Sequence, residues 1–507
     1  MARLARTTML LFCTFLTGSA LATTYYVDYS SGSDSNNGTS KTSPWKHAPG
    51  MQGCTGSCGA ASPKPGDQFI FRGGVVWPAG VFQWQWQWSG ASGSPVYLGV
   101  DSSWYAGGSW SRPILSGGGA AVGTNNRYLW ITASYIILDN FEFTGFYYNA
   151  SGGAYCTNDY ICLNYDANNL EIKNNYFHGW THGSYPASDD AGQCISGDTA
   201  WPSGNSNSSV HDNVFDGSDT TKDSMAAIHG GPETVYNNYI DNMSNGLVGE
   251  YTNVHDNVIQ NINESYNPTQ HENGLEINFS GNGTFYNNLI AHVNYGVTVW
   301  VCPQQGDTQY FFNNVLWDIP ITNILDVGSN SCAPNGKGGT SVFYNNTVEC
   351  GPDGGPSFIC VANINVAAGS VTLENNHWVT NATSPNAGVW SSNGPTPAEL
   401  SDIVMSYSTA CNKQGYCSNE IYPFSPSSTS SGTVGKGTNL SSLCSSVPSL
   451  CSDTTLGVSY NVANHTTTYP ARTPNTRPAS GAWDVGAYLF SNSNGPLPPT
   501  QLAATVQ

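Results

Sequence analysis

Apolar residues close on a paired Asp-Asn or Asn-Asn from both sides at eight places in this chain. The copies are LDNFEF (138–143), IKNNYF (172–177), VHDNVF (210–215), VYNNYI (235–240), VHDNVI (254–259), FYNNLI (285–290), FFNNVL (311–316) and FYNNTV (343–348), with LENNHW (373–378) as a weaker ninth. The second residues of the pairs follow one another at 35, 38, 25, 19, 31, 26, 32 and 30 positions. A unit of this size cannot bury its own apolar face, so its recurrence points to a solenoid. Val, Ile, Phe and Tyr around the pairs favour strands over helices. Asn suits the bend between strands because it tolerates the left-handed region and bonds to its own backbone. Stacked coils would bring one Asn per coil into an internal ladder, each amide bonding to those above and below. The expected fold is all-β: a right-handed parallel β-helix with projecting loops. Asn175, Asn213, Asn238, Asn257, Asn288, Asn314 and Asn346 are expected in one line along its axis.

Spacing carries the next message. Nineteen residues between Asn238 and Asn257 leave room for three short strands and their turns. Intervals of 35 and 38 residues must carry loops, and loops on a rigid repeat scaffold are where binding and catalysis usually sit. The segments 178–206 and 260–273 are the candidate walls of a groove.

Composition agrees with stacked strands and polar turns, since charged residues are 10% and Gly is abundant at 56. The balance of 15 Lys and Arg against 34 Asp and Glu gives a net charge of −19. Nucleic acid is an unsuitable partner, because phosphate neutralisation needs basic clusters. Residues 1–22 read as a secretory signal: Arg3 and Arg6, then MLLFCTFLTG, then the small-residue site Ala20-Leu21-Ala22. No segment is long and apolar enough to span a bilayer, and a secreted monomer is expected. Export favours disulfides, and close spacing pairs Cys54/Cys58, Cys350/Cys360, Cys411/Cys417 and Cys444/Cys451, with Cys302/Cys332 further apart. Among Cys156, Cys162 and Cys194 the pairing stays open.

After each Asn turn comes a short alternating run: CISGD (194–198), AIHGG (227–231), LVGEY (247–251), LEINF (275–279), VTVWV (297–301) and LDVGS (325–329). Taking Ile195, Ile228, Leu247, Leu275, Val297 and Leu325 as inward leaves two outward rows. One reads Asp198, His229, Glu250, Asn278 and Trp300; the other Ser196, Val248, Glu276, Thr298 and Asp326. Asp198, His229, Glu250 and Glu276 then share a patch, with Lys222 entering from the preceding loop. Paired carboxyls flanking a glycosidic bond can hydrolyse it. Asp189 and Asp190 in the long loop, Trp180, Trp201 and Trp300 as sugar platforms, Asn278 and His271 are the expected substrate contacts. His178, His211, His255 and His292 sit beside the Asn turns and read as turn or surface residues. FQWQWQW (82–88) precedes the regular coils, and its Trp side is expected to close the end of the stack.

Two ends of the chain carry a resemblance. TYYVDYSSGSDSNNGTSKTSPWKHAPGM (24–51), PGDQFIFRGG (65–74), RPILSGGG (112–119) and YLWITASYIILDNFEFTG (128–145) resemble the opening of secreted β-helix proteins of the pectate-lyase-like superfamily, family 9 pectate lyases included. GAWDVGAYLF (481–490) is similar to the motif that closes many such chains. The resemblance implies an extracellular polysaccharide substrate. A family 9 lyase would use a Lys base, here Lys222, and Ca²⁺ held by carboxylates, here Asp198, Asp223, Glu250 and Glu276; a hydrolase would need no cofactor. Asp189-Asp190 resembles the paired aspartates of polygalacturonase-type hydrolases, but that family's Asn-Thr-Asp, Gly-His-Gly and Arg-Ile-Lys elements are missing. The chain divides into the signal (1–22), N-terminal strands and cap (23–127), regular coils (128–385), late coils and C-terminal cap (386–490) and a linker-like tail (491–507). A glycoside hydrolase, a polysaccharide lyase, or a non-catalytic glycan-binding or structural β-helix all fit this reading.

Overall fold

The computed structural model describes residues 22–123, 125–148, 156–182, 192–197, 204–219, 225–262, 273–278, 281–293, 298–319, 323–328, 338–350, 361–380, 389–413 and 424–490. Its strands form three long parallel sheets of 13, 12 and 11 strands, called here A, B and C. Sheet A runs from Thr24–Val27 to Ala398–Leu400, sheet B from Val76–Pro78 to Ile403–Met405, and sheet C from Trp84–Trp86 to Trp390–Ser392. Each coil passes through C, then A, then B, and every strand pairs with its counterpart one coil away. The chain is a parallel β-helix. Among the described residues the one α-helix is Gly56–Gly59, and no helix is long and apolar enough to cross a membrane.

The paired Asn motif divides its work between its two residues. The first takes the left-handed backbone that turns sheet A into sheet B: φ is 56° at Asn174, 54° at Asp212, 55° at Asn237, 56° at Asp256 and 61° at Asn375. Asn and Asp tolerate that region better than other side chains. The second residue points inward and builds the ladder. Asn238 Nδ2 donates to Asn257 Oδ1 at 3.0 Å and to the Val210 carbonyl at 2.9 Å, and the Asn238 N–H donates to the same Oδ1 at 3.0 Å. The pattern repeats from Asn175 through Asn213, Asn238, Asn257, Asn288, Asn314 and Asn346, as the repeat implies, and extends to Asn376. Asp402 ends it, accepting from the Asn376 N–H at 2.7 Å and from Trp378 Nε1 at 2.9 Å. The first copy is slipped by one. Phe141, not Asn140, occupies the ladder position, and its N–H donates to Asn175 Oδ1 at 2.9 Å. Asn140 takes the left-handed place instead, with φ 71°.

Inward rows pack as stacked rings and aliphatics. Phe143, Phe177 and Phe215 stack at 4.8 Å with interplanar angles of 9° and 4°. Trp84 and Trp86 are fully buried at the N-terminal end, as the FQWQWQW alternation implies. Cys54–Cys58, Cys156–Cys162 and Cys444–Cys451 are bonded, which settles the open pairing and leaves Cys194 free and buried. Cys350 and Cys411 are also disulfide-bonded, while their expected partners Cys360 and Cys417, and Cys332, lie outside the described residues.

Residues 431–490 add no coil; the expected C-terminal cap is largely a strap. It runs back along the bend between sheets A and B and is held by the left-handed members of the motif. Asn375 Nδ2 donates to the Thr438 carbonyl at 2.9 Å, Asn313 Nδ2 to Ser452 at 2.8 Å, and Asp256 accepts from Thr455. Tyr460 stacks on Tyr239 at 4.2 Å, and Arg112 donates at 2.9 Å to the carbonyls of Asn464 and of His465. There the strap turns through an antiparallel pair, Ser459–Asn461 with Thr466–Thr468, and returns to Asn345, whose Nδ2 donates to the Asp484 carbonyl at 2.9 Å. His211 and His255 belong to a row of rings beside it, alternating with Tyr236 and Tyr286 at 4.5–5.0 Å. His178 stacks at 4.1 Å on Tyr176, which in turn stacks at 4.0 Å on His465 at the strap tip. Desolvation pulls the pKa of His178 down, yet Asp219 at 2.7 Å and Glu142 at 3.2 Å raise it to about 9.

Candidate functional site

Sheet C carries the outward chemistry. Leu129, Ile161, Ile195, Ile228, Leu247, Leu275, Val299 and Leu325 face the core, each matched to the next by strand pairing. The residue after each stands outward, in the order Trp130, Cys162, Ser196, His229, Val248, Glu276, Trp300 and Asp326, and Asn363 pairs with Asp326 on the next coil.

This register moves His229 and Trp300 from one expected row to the other. His229 follows inward Ile228 as Ser196 follows Ile195, so it lines up with Ser196 and Glu276 rather than with Asp198 and Glu250. Leu275 pairs with Val299, not Val297, which moves Trp300 from the Asn278 row to the Glu276 row. In VTVWV a two-residue slip keeps every side chain on its own face, so alternation alone does not detect it. Glu250 comes one place after Gly249, the partner of Ile277, and so lies level with Asn278 at the downstream end of the strand, only 8% exposed. Glu250 and Glu276 therefore sit on neighbouring coils but offset by two residues, a diagonal of about 8 Å between Cα atoms. Trp180 does not reach the groove. It is 1% exposed and belongs to the core cluster, against the expectation of a sugar platform, because the chain after Gly179 folds inward beside Gly217. Asp189, Asp190, Asp198, Trp201, Lys222, Asp223 and His271 lie outside the described residues.

What the register brings together is Glu276, Trp300 and Asp326 on three successive coils. Neighbouring strands are about 4.8 Å apart, so the two carboxylates flank the indole with roughly 9.6 Å between their Cα atoms. Asn273 Nδ2 donates to Glu276 Oε2 at 2.5 Å. Asp326 accepts from Asn365 Nδ2 at 2.7 Å on one oxygen and from Asn363 Nδ2 at 3.2 Å on the other. Both oxygens of Asp326 are thus held by amide donors. Asp326 stands in the expected outward row, but the mismatched partner strands hid its place beside Trp300.

Asp159, at the upstream edge of the same sheet, carries no mark in the sequence. It is fully buried, neither carboxyl oxygen has a partner at good hydrogen-bond geometry, and desolvation pushes its pKa up to about 8, with the Ser196 hydroxyl and Arg127 opposing only in part. The folded protein thus keeps a proton that the unfolded chain releases above its ordinary 3.8. Stability is fullest at low pH and falls as pH rises to about 8, by up to ~4 kcal/mol at neutrality for this group. Asp159→Asn should flatten that dependence; urea midpoints at pH 5 and pH 8 that shift as much in the variant as in the wild type would show otherwise.

No family model matches the sequence, and no curated protein matches it. Solved structures do. The chain is similar to a GH136 lacto-N-biosidase from Eubacterium ramulus at 12% identity, over 74% of this chain and 68% of that one, with a TM-score of 0.46. It is similar to pectate lyase Pel9A at 13% identity, over 94% and 98%, with a TM-score of 0.44. A rhamnogalacturonan lyase matches at 16% identity, over 75% and 87%, with a TM-score of 0.37. These are parallel β-helix neighbours that act on polysaccharides or oligosaccharides by name, and at such identity they say nothing of this chain's chemistry.

Proposed function

We propose that this protein is an extracellular glycan-cleaving enzyme of the hydrolase type, with its substrate laid on the outward face of sheet C. The observation that carries the reading is the single row Glu276–Trp300–Asp326. An indole offers a sugar ring an apolar face, and a carboxyl on each side supplies an acid and a base across the bond. Glu276 is the general acid in this reading. Asp326, oriented by two amides, is the base that activates water. Carboxyl separations of about 6.5–9.5 Å go with inversion, and the two-coil Cα spacing of roughly 9.6 Å lies just above that range, nearer to it than to the ~5 Å of retention. His229, two coils from Glu276, and Glu250 border the same face.

A Ca²⁺-assisted lyase remains the second reading. Of its four expected ligands, Glu250 and Glu276 are described and occupy neighbouring coils. Among the described residues no group of three or more His, Cys, Asp and Glu is placed to hold a metal ion, so no step is routed through calcium here. Purified protein on a panel of neutral and acidic polysaccharides, with and without chelator, separates these readings. New reducing ends without ultraviolet-absorbing product support hydrolysis. An unsaturated, ultraviolet-absorbing product lost on chelation would replace it with the lyase, and no product on any polymer would leave a glycan-binding or structural protein.

A further inference from the structure

The outward row of sheet C does not stop at the proposed catalytic residues. It continues through Val248, His229, Ser196 and Cys162, which are covered at 0–8% exposure, and re-emerges at Trp130, beside Gln85 on the last strand of the sheet. Trp130 is unlike the tryptophans around it. Trp84 and Trp86 point into the core and are fully buried, whereas Trp130 stands on the outer face and is half-buried. The Arg127 guanidinium lies over its ring at 4.1 Å and covers one face, which holds the indole in place. The alternation that buries Trp84 and Trp86 turns the intervening side chains outward, so Gln85, paired with Trp130, is half-buried and Gln87, two places further on, is exposed. Neither glutamine amide is engaged by the described residues. A fixed indole flanked by two free amides combines an apolar surface with paired donors and acceptors, which is what a neutral pyranose with its hydroxyls requires.

From this we infer that Trp130, Gln85 and Gln87 form a distal sugar-binding subsite, and that the substrate is a neutral polymer lying parallel to the helix axis. The inference rests on the reading of sheet C as a glycan groove. Six coil steps separate Trp130 from Trp300, or roughly 29 Å at the interstrand spacing, a span of about six sugar units. Arg127 is already engaged, its guanidinium lying over the indole at 4.1 Å and donating to the Cys156 carbonyl at 3.4 Å.

The test uses full-length protein and Trp130→Ala, with Trp130→Phe as the conservative variant that retains a ring. Soluble β-glucan, xyloglucan, galactomannan, arabinoxylan and polygalacturonate serve as polymers, and oligosaccharides of two to eight units are prepared from whichever is cleaved. In the wild type kcat/KM should climb with length up to about six units. Trp130→Ala should lose that climb, by about tenfold at eight units relative to three, chiefly through KM, and Trp130→Phe should restore much of it. An unchanged length dependence in Trp130→Ala overturns the subsite even if cleavage is confirmed. If no polymer is cleaved, the catalytic reading fails by itself, and affinity electrophoresis on the same five polymers decides the subsite. Retardation by a neutral polymer that is lost in Trp130→Ala supports it; equal retardation, retardation by polygalacturonate alone, or none overturns it.

Discussion

Glu276→Gln and Asp326→Asn are each expected to lower kcat by about 10²–10⁴-fold on the polymer that the wild type cleaves, because each removes one partner of a general acid–base pair. Both substitutions keep the size of the side chain. An amide at position 276 still accepts from Asn273, and an amide at position 326 still offers one oxygen to Asn363 or Asn365. The fold should survive, so circular dichroism and melting should match the wild type while turnover collapses. Loss in kcat without a comparable rise in KM would place the effect in the transition state. Glu250→Gln should cost far less, since Glu250 lies level with Asn278 and not with Trp300. Full activity in Asp326→Asn, with Glu250→Gln as inactive as Glu276→Gln, would move the catalytic pair to the neighbouring coil. Full activity in all three would reject sheet C as the site.

Asn257→Ala should destabilise the protein by about 3–6 kcal/mol, several times the cost of an average substitution. Asn257 is fully buried in the coil that follows the 19-residue interval. Its Oδ1 accepts from the N–H and the Nδ2 of Asn238, both at 3.0 Å, and its Nδ2 donates to Val235, His255 and Asn288, each at 3.0 Å. Truncation strands donors above and acceptors below where water cannot reach them, and each group left unmet costs roughly 1–3 kcal/mol. Replacing its outward neighbour Asp256 instead removes contacts to Thr455 of the strap and to His255, and leaves the ladder bonds in place. Urea unfolding of Asn257→Ala within about 1 kcal/mol of the wild type would mean that the ladder follows from the fold and does not hold it.

The fold is legible because its defining residue recurs. Seven ladder asparagines can be read from the pairs, since an inward amide and a left-handed neighbour both demand Asn or Asp at fixed places. Asn140 misleads by one residue because Asp139-Asn140 looks like the other pairs while Phe141 fills the ladder position. The outward row is harder. Alternation assigns a side of the sheet but not a partner strand, and Trp300 falls in the wrong row on that account, whereas His229 is misplaced although its inward neighbour Ile228 is correctly matched to Ile195. Trp180 misleads because sequence position near a loop says nothing about which way the chain turns next. Asp159 gives no signal at all: a buried carboxyl in NDYICL has the same letters as an exposed one. Lys222, Asp198 and the loop aspartates are untouched by these corrections and stand as sequence-based expectations.

A solenoid in which each coil touches only its neighbours loses structure a coil at a time, fraying inward from whichever end is weaker. The strap changes that. By bonding Asn375, Asn313 and Asp256 and ending on Arg112, it joins coils that are otherwise many steps apart. The end coils cannot peel away without also giving up contacts near the start. Melting should therefore be a single sharp event for the intact chain, and one cut in the exposed turn between Asn461 and Thr466 should broaden it into sequential losses. Long-range fastening of this kind converts many local openings, each a chance for a protease, into one rare global one.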